Sequence, residues 1–291
     1  MVNRETNLGG ENFMKMNVLM KKLTIFAVVA TLGTGLVACS GNTGSKKEET
    51  KASASTLDKE ELVVGFDDTF VPMGFKDESG KVVGFDIELA EAVAKKLNKK
   101  VKFQPIDWTM KETELKNGNI DLIWNGYSIS DERKEKVEFS KPYLDNKQVI
   151  VTLADSKINA KADLAGKKVG AQNESTAVDA VAAEANMLKS LDGGKLVTFK
   201  DNNAALMDLE AKRLDAIVVD EILARYYMKA RGQEKYKILS EDFGSEQYGV
   251  GIRKGDTKFV EAFNKAFDEV VADKTATEIS KKWFQEDIVL K

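Results

Sequence analysis

Apolar runs and apolar residues at helical spacing alternate along residues 61–284, and this pattern predicts strands and helices in turn. Short continuous apolar runs, such as residues 61–66 and 120–124, predict buried strands. Apolar residues at every fourth position predict amphipathic helices, and the clearest stripe consists of Phe85, Leu89, Val93 and Leu97. A second stripe, Phe259, Phe263, Phe267 and Val271, predicts a helix over residues 257–272, and residues 77–80 predict a hairpin turn. Strands that alternate with helices favour βα units around a mostly parallel sheet, so we expect an α/β fold.

A weak internal repeat predicts two lobes. Residues 115–123 and 209–217 share the same order of helix end, tight turn, aspartate and apolar strand. A strand signal at 167–171 and a helix signal at 176–185 lie between them, which indicates a second βα lobe from about residue 150 to 243. Two open α/β lobes bind ligands in the crevice outside the carboxyl ends of their strands.

Residues 1–38 have the pattern of a secretory signal peptide. The basic pair Lys21 and Lys22 precedes an apolar stretch from 23 to 36, and small residues follow. This stretch of about 14 residues is shorter than the roughly 20 that a transmembrane helix needs. The polar residues before Met14 do not suit a signal peptide, so we expect translation to start at Met14, Met16 or Met20.

Cys39 is the only cysteine of the chain, and it follows Leu36, Val37 and Ala38. This run resembles a bacterial lipobox, in which the thiol carries diacylglycerol and tethers the mature protein to the membrane. The alternative is a buried core cysteine, the usual environment of a lone cysteine. Residues 39–57 are small, polar and charged, which predicts a flexible linker.

Composition excludes several classes of function. The chain has 44 Lys and Arg against 47 Asp and Glu, and this mildly acidic balance argues against nucleic acid as a partner. It contains no histidine, which excludes a Ser-His-Asp triad, a Cys-His pair and an HExxH zinc site. We expect no metal and no cofactor, and an enzyme that uses carboxylates alone is left open.

Four segments in register carry a resemblance to a known family. They are residues 84–90 (GFDIELA), 67–72 (DDTFVP), 125–133 (NGYSISDER) and 214–220 (LDAIVVD). Together with the lipobox they resemble the family 3 extracellular solute-binding proteins, which are polar amino-acid receptors of ABC importers. The resemblance covers about residues 61–284.

The resemblance implies a two-lobed periplasmic-binding-protein-like fold of type II with two crossover hinge strands. The first lobe would comprise residues 58–148 and 246–291, and the second would comprise 149–245. The protein would be a monomer on the extracellular face of the cell membrane, in a bacterium that is expected to be Gram-positive. It would close around an amino acid and deliver it to the permease subunits.

The resemblance also assigns residues to the amino-acid backbone. Arg133 would pair with the ligand carboxylate, because a guanidinium binds a carboxylate through two parallel hydrogen bonds. Ser175 and Thr176 open a helix, whose free N–H groups favour an anion. Asp220 resembles the partner of the α-ammonium group. The alternatives are a surface arginine, and helix N-caps at Ser175 and Asp220.

Further residues are expected to complete the binding shell. The carbonyl of Asn125 and the hydroxyl of Ser128 would contact the zwitterion, and Gly126 would allow close approach of the backbone. Phe70 and Trp108 resemble the aromatic pair that encloses the ligand side chain. Asp67 would lie at the far end of that slot.

A carboxylate at Asp67 favours a basic amino acid, glutamine or cystine over glutamate or aspartate. Two other classes of function are left open by the sequence. One is a carboxylate-dependent dehydratase on the same fold, and the other is an adhesin or a sensor lobe.

Overall fold

The computed structural model describes residues 55–291. The predicted signal peptide, Cys39, the candidate start sites and residues 39–54 of the predicted linker lie outside this part of the chain. Within residues 55–291, every helix is too short or too polar to cross a membrane.

Thirteen strands occur within residues 55–291. They are β1 (Glu61–Phe66), β2 (Thr69–Phe70), β3 (Gly74–Lys76), β4 (Val82–Val83), β5 (Lys100–Pro105), β6 (Leu122–Ile123), β7 (Val137–Phe139), β8 (Leu144–Leu153), β9 (Val169–Gln172), β10 (Val197–Phe199), β11 (Ala216–Asp220), β12 (Tyr236–Tyr248) and β13 (Gly251–Arg253).

In the same described part of the chain, nine α-helices connect or cover these strands. They are α1 (Phe85–Lys96), α2 (Lys111–Asn117), α3 (Asp131–Lys136), α4 (Thr176–Ala183), α5 (Ala185–Ser190), α6 (Asn202–Glu210), α7 (Glu221–Arg231), α8 (Thr257–Ala272) and α9 (Thr275–Phe284).

The strands form two five-stranded sheets, each the centre of one lobe. The first sheet has the order β5-β1-β6-β13-β7 and the second has the order β10-β9-β11-β8-β12. A small antiparallel sheet, β2-β3-β4, adjoins the first lobe. Its hairpin pairs Lys76 with Val82 around the predicted turn.

Four of the five strands in each large sheet run in the same direction, so the sheets are mostly parallel as expected, and one strand in each sheet is antiparallel. In the first sheet β5, β1 and β6 are parallel, whereas β13 is antiparallel to β6 and β7. In the second sheet β10, β9 and β11 are parallel, whereas β8 is antiparallel to β11 and β12. The antiparallel strands β8 and β13 occur where the chain passes from the first lobe to the second and where it has returned. A series of βα units alone would not predict these two strand directions.

Apolar faces pack these elements as the sequence pattern predicts. Helix α1 buries Phe85, Leu89 and Val93, and α8 buries Phe259 and Phe263. Burial of aliphatic or aromatic side chains of this size stabilises a fold by about 1.5–3 kcal/mol each. The bounds of β1 and α8 agree with the predicted segments, because their patterns are long or bounded by turn residues.

The internal repeat is present in three dimensions. Asp121 Oδ2 accepts a hydrogen bond from Val63 N at 3.0 Å, and Asp215 Oδ2 accepts one from Lys168 N at 2.9 Å. In both lobes, therefore, an aspartate immediately before a strand, β6 or β11, fixes the main chain within or just before the neighbouring strand, β1 or β9.

Candidate functional site

The predicted binding residues lie at the carboxyl ends of parallel strands in both lobes. Asp67 follows β1, and residues 125–128 follow β6 in the first lobe. In the second lobe, Ser175 and Thr176 follow β9, and Asp220 ends β11. Parallel strands present their carboxyl ends at one edge of a sheet, where open α/β sheets bind ligands.

Hydrogen bonds between the lobes bring these two edges together. Gln172 Nε2 donates to Asp67 Oδ2 at 2.7 Å, and the hydroxyls of Ser128 and Thr176 lie 3.2 Å apart. Arg133 Nη2 donates to the main-chain carbonyl of Glu174 at 3.2 Å. The two lobes are therefore closed upon each other at the predicted site.

Arg133 is buried in this cleft with only 5% of its surface exposed, so the alternative of a surface arginine is wrong. Helix α3 begins after Ser130, whose hydroxyl accepts the Arg133 N–H, and this cap fixes the start of the helix. Arg133 Nη1 donates to the Ser128 carbonyl at 3.0 Å, and the guanidinium lies 4.6 Å from the Tyr127 ring centroid. These contacts orient the guanidinium toward the lobe boundary.

A second buried cation, Lys111, was missed by sequence reasoning. Its side chain is 2% exposed, and Nζ donates to the same Glu174 carbonyl at 3.3 Å. Burial and then the neighbouring charge of Arg133 lower the pKa of Lys111. Lys111 begins a short charged helix, a pattern that is typical of a solvated surface, so no local pattern marks this lysine as buried.

Asp220 lies at the other end of the cleft. Its Oδ1 accepts hydrogen bonds from Asn146 Nδ2 at 2.6 Å, Tyr248 Oη at 2.6 Å and Gln148 Nε2 at 3.0 Å. Asp220 occupies the N-cap position of α7, as the alternative predicts, but its side chain makes no cap hydrogen bond and faces the cleft residues instead. Burial, and then the charge of Glu246, raise the pKa of Asp220 to about 7.

Glu246 was also missed, although its carboxylate belongs to the same cluster. Glu246 Oε1 accepts hydrogen bonds from Ser128 Oγ at 2.8 Å, Asn146 Nδ2 at 2.7 Å and Gln148 Nε2 at 2.8 Å. Asn146 and Gln148 alternate with exposed residues along β8, so they share one face of the strand. That period of two is the signal that could have indicated a polar wall here.

The Thr176 hydroxyl contacts Ser128 and Gln148 in the cleft, whereas the Ser175 hydroxyl contacts neither of these residues. Thr176 Oγ1 lies 3.2 Å from Ser128 Oγ and accepts a hydrogen bond from Gln148 Nε2 at 3.2 Å. Ser175 Oγ donates to the Gln172 carbonyl at 2.7 Å. Ser175 occupies the N-cap position of α4, but its side chain makes no cap hydrogen bond.

Asp67 is buried where the first lobe meets Gln172. Its Oδ1 accepts hydrogen bonds from the N–H and the hydroxyl of Thr69, and its Oδ2 accepts one from Gln172. Asn202 donates in turn to Gln172 Oε1 at 2.9 Å, which fixes the orientation of the amide. Burial raises the pKa of Asp67, and the hydrogen bonds from Thr69 and Gln172 oppose this shift.

The aromatic residues pack around the loop of residues 125–128. Gly126 has φ +57°, and a Cβ there would come within 2.7 Å of the Phe70 ring. Trp108 packs edge-to-face on Tyr127 with ring centroids 5.9 Å apart. The Asn125 side chain accepts a hydrogen bond from Asp67 N at 3.0 Å. Glycine is therefore required at 126 by the backbone conformation and by the packing of Phe70.

The cleft has a cationic end and an anionic end. Arg133 and Lys111 meet at the Glu174 carbonyl, whereas Asp220 and Glu246 meet at Asn146 and Gln148. Ser128 lies between these ends, since its carbonyl contacts Arg133 and its hydroxyl contacts Glu246. Such an arrangement suits a small zwitterion, whose carboxylate and ammonium groups seek opposite partners.

The fold and the cleft define a class of protein. Two α/β lobes joined by the antiparallel strands β8 and β12 have the architecture of the two-lobed type II periplasmic-binding-protein-like fold. Residues 62–286 match the model of the bacterial extracellular solute-binding proteins, family 3. The chain belongs to this family.

Characterised relatives of the chain are amino-acid-binding proteins. The L-cystine-binding protein TcyJ of Escherichia coli (strain K12) is 32% identical over 229 residues, which cover 78% of this chain and 84% of that protein. The arginine-binding extracellular protein ArtP of Bacillus subtilis (strain 168) is 30% identical over 268 residues, which cover 91% and 98%.

A solved structure of a substrate-binding protein is also similar. It is an ABC uptake transporter substrate binding protein from Streptococcus pneumoniae with bound histidine, with 43% sequence identity and a TM-score of 0.78. The similarity covers 81% of this chain and 96% of that chain.

Proposed function

We propose that this protein captures a polar L-amino acid outside the cell and delivers it to the permease of an ABC importer. The observation that carries the proposal is the pair of opposite charge clusters, Arg133 with Lys111 and Asp220 with Glu246, at the two ends of one interlobe cleft. The ligand carboxylate would bind Arg133, and its α-ammonium would bind Asp220. Closure of the two lobes would then form the state that the permease recognises.

The proposed ligand is a basic amino acid, glutamine or cystine. Relatives whose names give cystine, arginine and histidine as ligands support this class. Asp67 supports it independently, because a buried carboxylate pairs best with guanidinium, ammonium or amide donors. Phe70 and Trp108 would enclose the side chain of the ligand.

A thermal-shift screen of the proteinogenic amino acids and L-cystine tests this proposal, because a ligand that binds only the native state raises its melting temperature. A shift with one or more members of the class, confirmed by calorimetry, is the expected result. No shift with any amino acid would contradict the proposal. Incubation with prephenate tests the dehydratase alternative, since turnover would identify an enzyme.

The selectivity role of Asp67 can be tested with Asp67→Asn. We expect the affinity for arginine and lysine to fall by at least about tenfold, because their cationic groups lose a charged partner. The affinity for glutamine should change by less than about threefold, since the amide oxygen that replaces the carboxylate at position 67 can still accept a hydrogen bond from the ligand amide. Calorimetric titration of each ligand gives these values.

Asp68→Asn is the matched control, because Asp68 is partly exposed and pairs with Lys76 at 2.7 Å. Its titrations should match those of the wild type. Glutamate as the tightest ligand of the wild-type protein would contradict the assignment of Asp67 to the side-chain pocket.

We further propose that the mature protein is a monomer anchored by a lipid on Cys39, with the lobe boundaries given above. Cys39→Ser should release the protein into the medium, because the tether needs the acylated thiol. Immunoblots of membrane and medium fractions measure this, with Ser40→Ala as the control. A Cys39→Ser protein that still sediments with membranes would indicate an uncleaved apolar anchor instead.

A further inference from the structure

Two carboxylates in the cleft, those of Asp220 and Glu246, share the same two amide nitrogens. Asn146 Nδ2 lies 2.6 Å from Asp220 Oδ1 and 2.7 Å from Glu246 Oε1. Gln148 Nε2 lies 3.0 Å from the first oxygen and 2.8 Å from the second. The two carboxylates are therefore close neighbours, and two negative charges at such a separation repel each other.

The donors that contact this pair are all uncharged. Besides the two amides, the Tyr248 hydroxyl donates to Asp220 at 2.6 Å and the Ser128 hydroxyl donates to Glu246 at 2.8 Å. In addition, Asn146 Oδ1 and Gln148 Oε1 are buried and accept no hydrogen bond from residues 55–291. The cluster thus has more acceptors than donors, which is the environment that an ammonium group or a proton satisfies.

Nearby charged groups on the surrounding elements have partners elsewhere. On β8, Asp145 accepts a hydrogen bond from Gln247 and Lys147 pairs with Asp242. On α7, Arg225 pairs with Glu221. Both residues, together with Asn146, line a cavity of about 500 Å³.

Two more charged groups lie across the cleft and on α4. Arg133 donates to the carbonyls of Ser128 and Glu174. Asp179 on α4 is another carboxylate and adds no positive charge. Among residues 55–291, no cationic side chain donates a hydrogen bond to Asp220 or Glu246, so a ligand ammonium or a bound proton is the fitting source of compensating positive charge.

We propose that Glu246 is a second carboxylate of the ammonium subsite, and that an entering ligand ammonium displaces a proton held by the Asp220–Glu246 pair. The proposal rests on the proposed function, because it assigns a role to Glu246 within the same amino-acid site. In this exchange the ligand brings one positive charge as R–NH₃⁺, and the displaced proton passes to the solvent. The net charge of the ammonium subsite is therefore conserved, since two carboxylates with one proton are replaced by two carboxylates with one ammonium group.

The exchange makes binding depend on pH and on the ligand amine. Burial and the neighbouring Glu246 raise the pKa of Asp220 to about 7, so the proton is retained below neutral pH in the free protein. As pH falls through this range, protons compete with the ligand and the affinity falls. The subsite should take a primary α-ammonium and reject the N-acetylated amino acid and the corresponding α-hydroxy acid.

Calorimetric titration of the full mature chain tests the proposal, with L-arginine, L-histidine, L-glutamine and L-cystine as probes. Titrations of L-arginine, L-glutamine and L-cystine at about pH 6 in two buffers of different ionisation enthalpy give the number of protons released, and we expect more than about half a proton per ligand. L-Histidine is left out of this measurement because its own imidazole titrates at about pH 6.5. Affinity is also measured from about pH 5.5 to about 8, a range that brackets the pKa of Asp220. For the wild type it should rise up to about tenfold per pH unit below neutrality and then level off.

Glu246→Gln provides the decisive comparison. At about pH 8 its affinity should be about tenfold lower than that of the wild type, because one of two partners of the ammonium is neutral. On acidification the two curves should converge, because the glutamine variant no longer promotes protonation of Asp220. A merely structural role of Glu246 would instead lower the affinity evenly at every pH.

Glu241→Gln on the same strand is the matched control, since Glu241 is exposed and lies outside the cleft. It should follow the wild-type curve. Parallel pH curves for Glu246→Gln and the wild type, or no proton release by the wild type, overturn this inference alone. The second measurement does not require the variant to fold. Failure of all four amino acids to bind the wild type overturns the proposed function and this inference together.

Discussion

Arg133→Ala is expected to reduce the affinity for the amino acid by about 30-fold to several thousand-fold, while the protein stays folded. Arg133 is 5% exposed, and its guanidinium is held by the Ser128 carbonyl and the Tyr127 ring of its own lobe, so its position is fixed before the ligand arrives. Loss of one partner of a desolvated, hydrogen-bonded charge pair costs about 2–5 kcal/mol in binding. Calorimetric titration measures the change.

Arg213→Ala is the matched control, because Arg213 is an exposed arginine of the second lobe that pairs with Asp208. The Arg213→Ala protein should bind the amino acid with the same affinity as the wild type. Circular dichroism at the titration temperature verifies that both variants are folded. An Arg133→Ala protein whose affinity lies within about threefold of the wild type would show that the carboxylate binds elsewhere.

The fold could be predicted where apolar periodicity is strong. The sequence pattern predicts helix α8 with its observed bounds, because Phe259, Phe263, Phe267 and Val271 recur at every fourth position along it. The helix from Thr176 was predicted to reach residue 185, but it ends at Ala183 and a separate helix begins at Ala185. Alanine-rich sequence contains no stop signal at this point.

The strands that connect the lobes could not be predicted in the same way. β8 and β12 are long and carry polar residues such as Asn146 and Glu246, because one part of each strand lines the cleft instead of a core. Apolar patterns detect burial against apolar neighbours, and these side chains are buried against each other and against the opposite lobe. Their polarity therefore concealed both the strands and their place in the site.

Asp86 illustrates a related limit. Its place in the first turn of α1 suggests a favourable interaction with the helix dipole. In the structure it is fully buried, and its Oδ2 accepts hydrogen bonds from Gly126 N at 2.8 Å and Tyr143 Oη at 2.9 Å. Asp86 thus holds the loop that presents Ser128, a role that depends on contacts 40 residues apart in sequence. No local pattern reports such a contact.

Asp220→Asn is expected to have opposite effects on binding and on stability. The α-ammonium would lose its charged partner in a desolvated cleft, so the affinity should fall by about 30-fold or more. The free protein should become more stable at about pH 8, by an amount on the order of 1–4 kcal/mol, since the variant no longer buries this carboxylate beside Glu246.

The stability gain should disappear on acidification, and its direction follows from the pKa. Because the folded-state pKa of Asp220 is raised from 3.8 to about 7, the native wild type binds more protons than the unfolded chain between these values. The wild type therefore loses stability as pH rises from about 4 to about 7, and the asparagine variant does not. Thermal unfolding without ligand at several pH values measures the difference, with the exposed Asp155→Asn as control. If the variant is as stable as the wild type at every pH, Asp220 is not strained in the free protein. If the variant binds the amino acid as tightly as the wild type does, Asp220 is not the partner of the ammonium group.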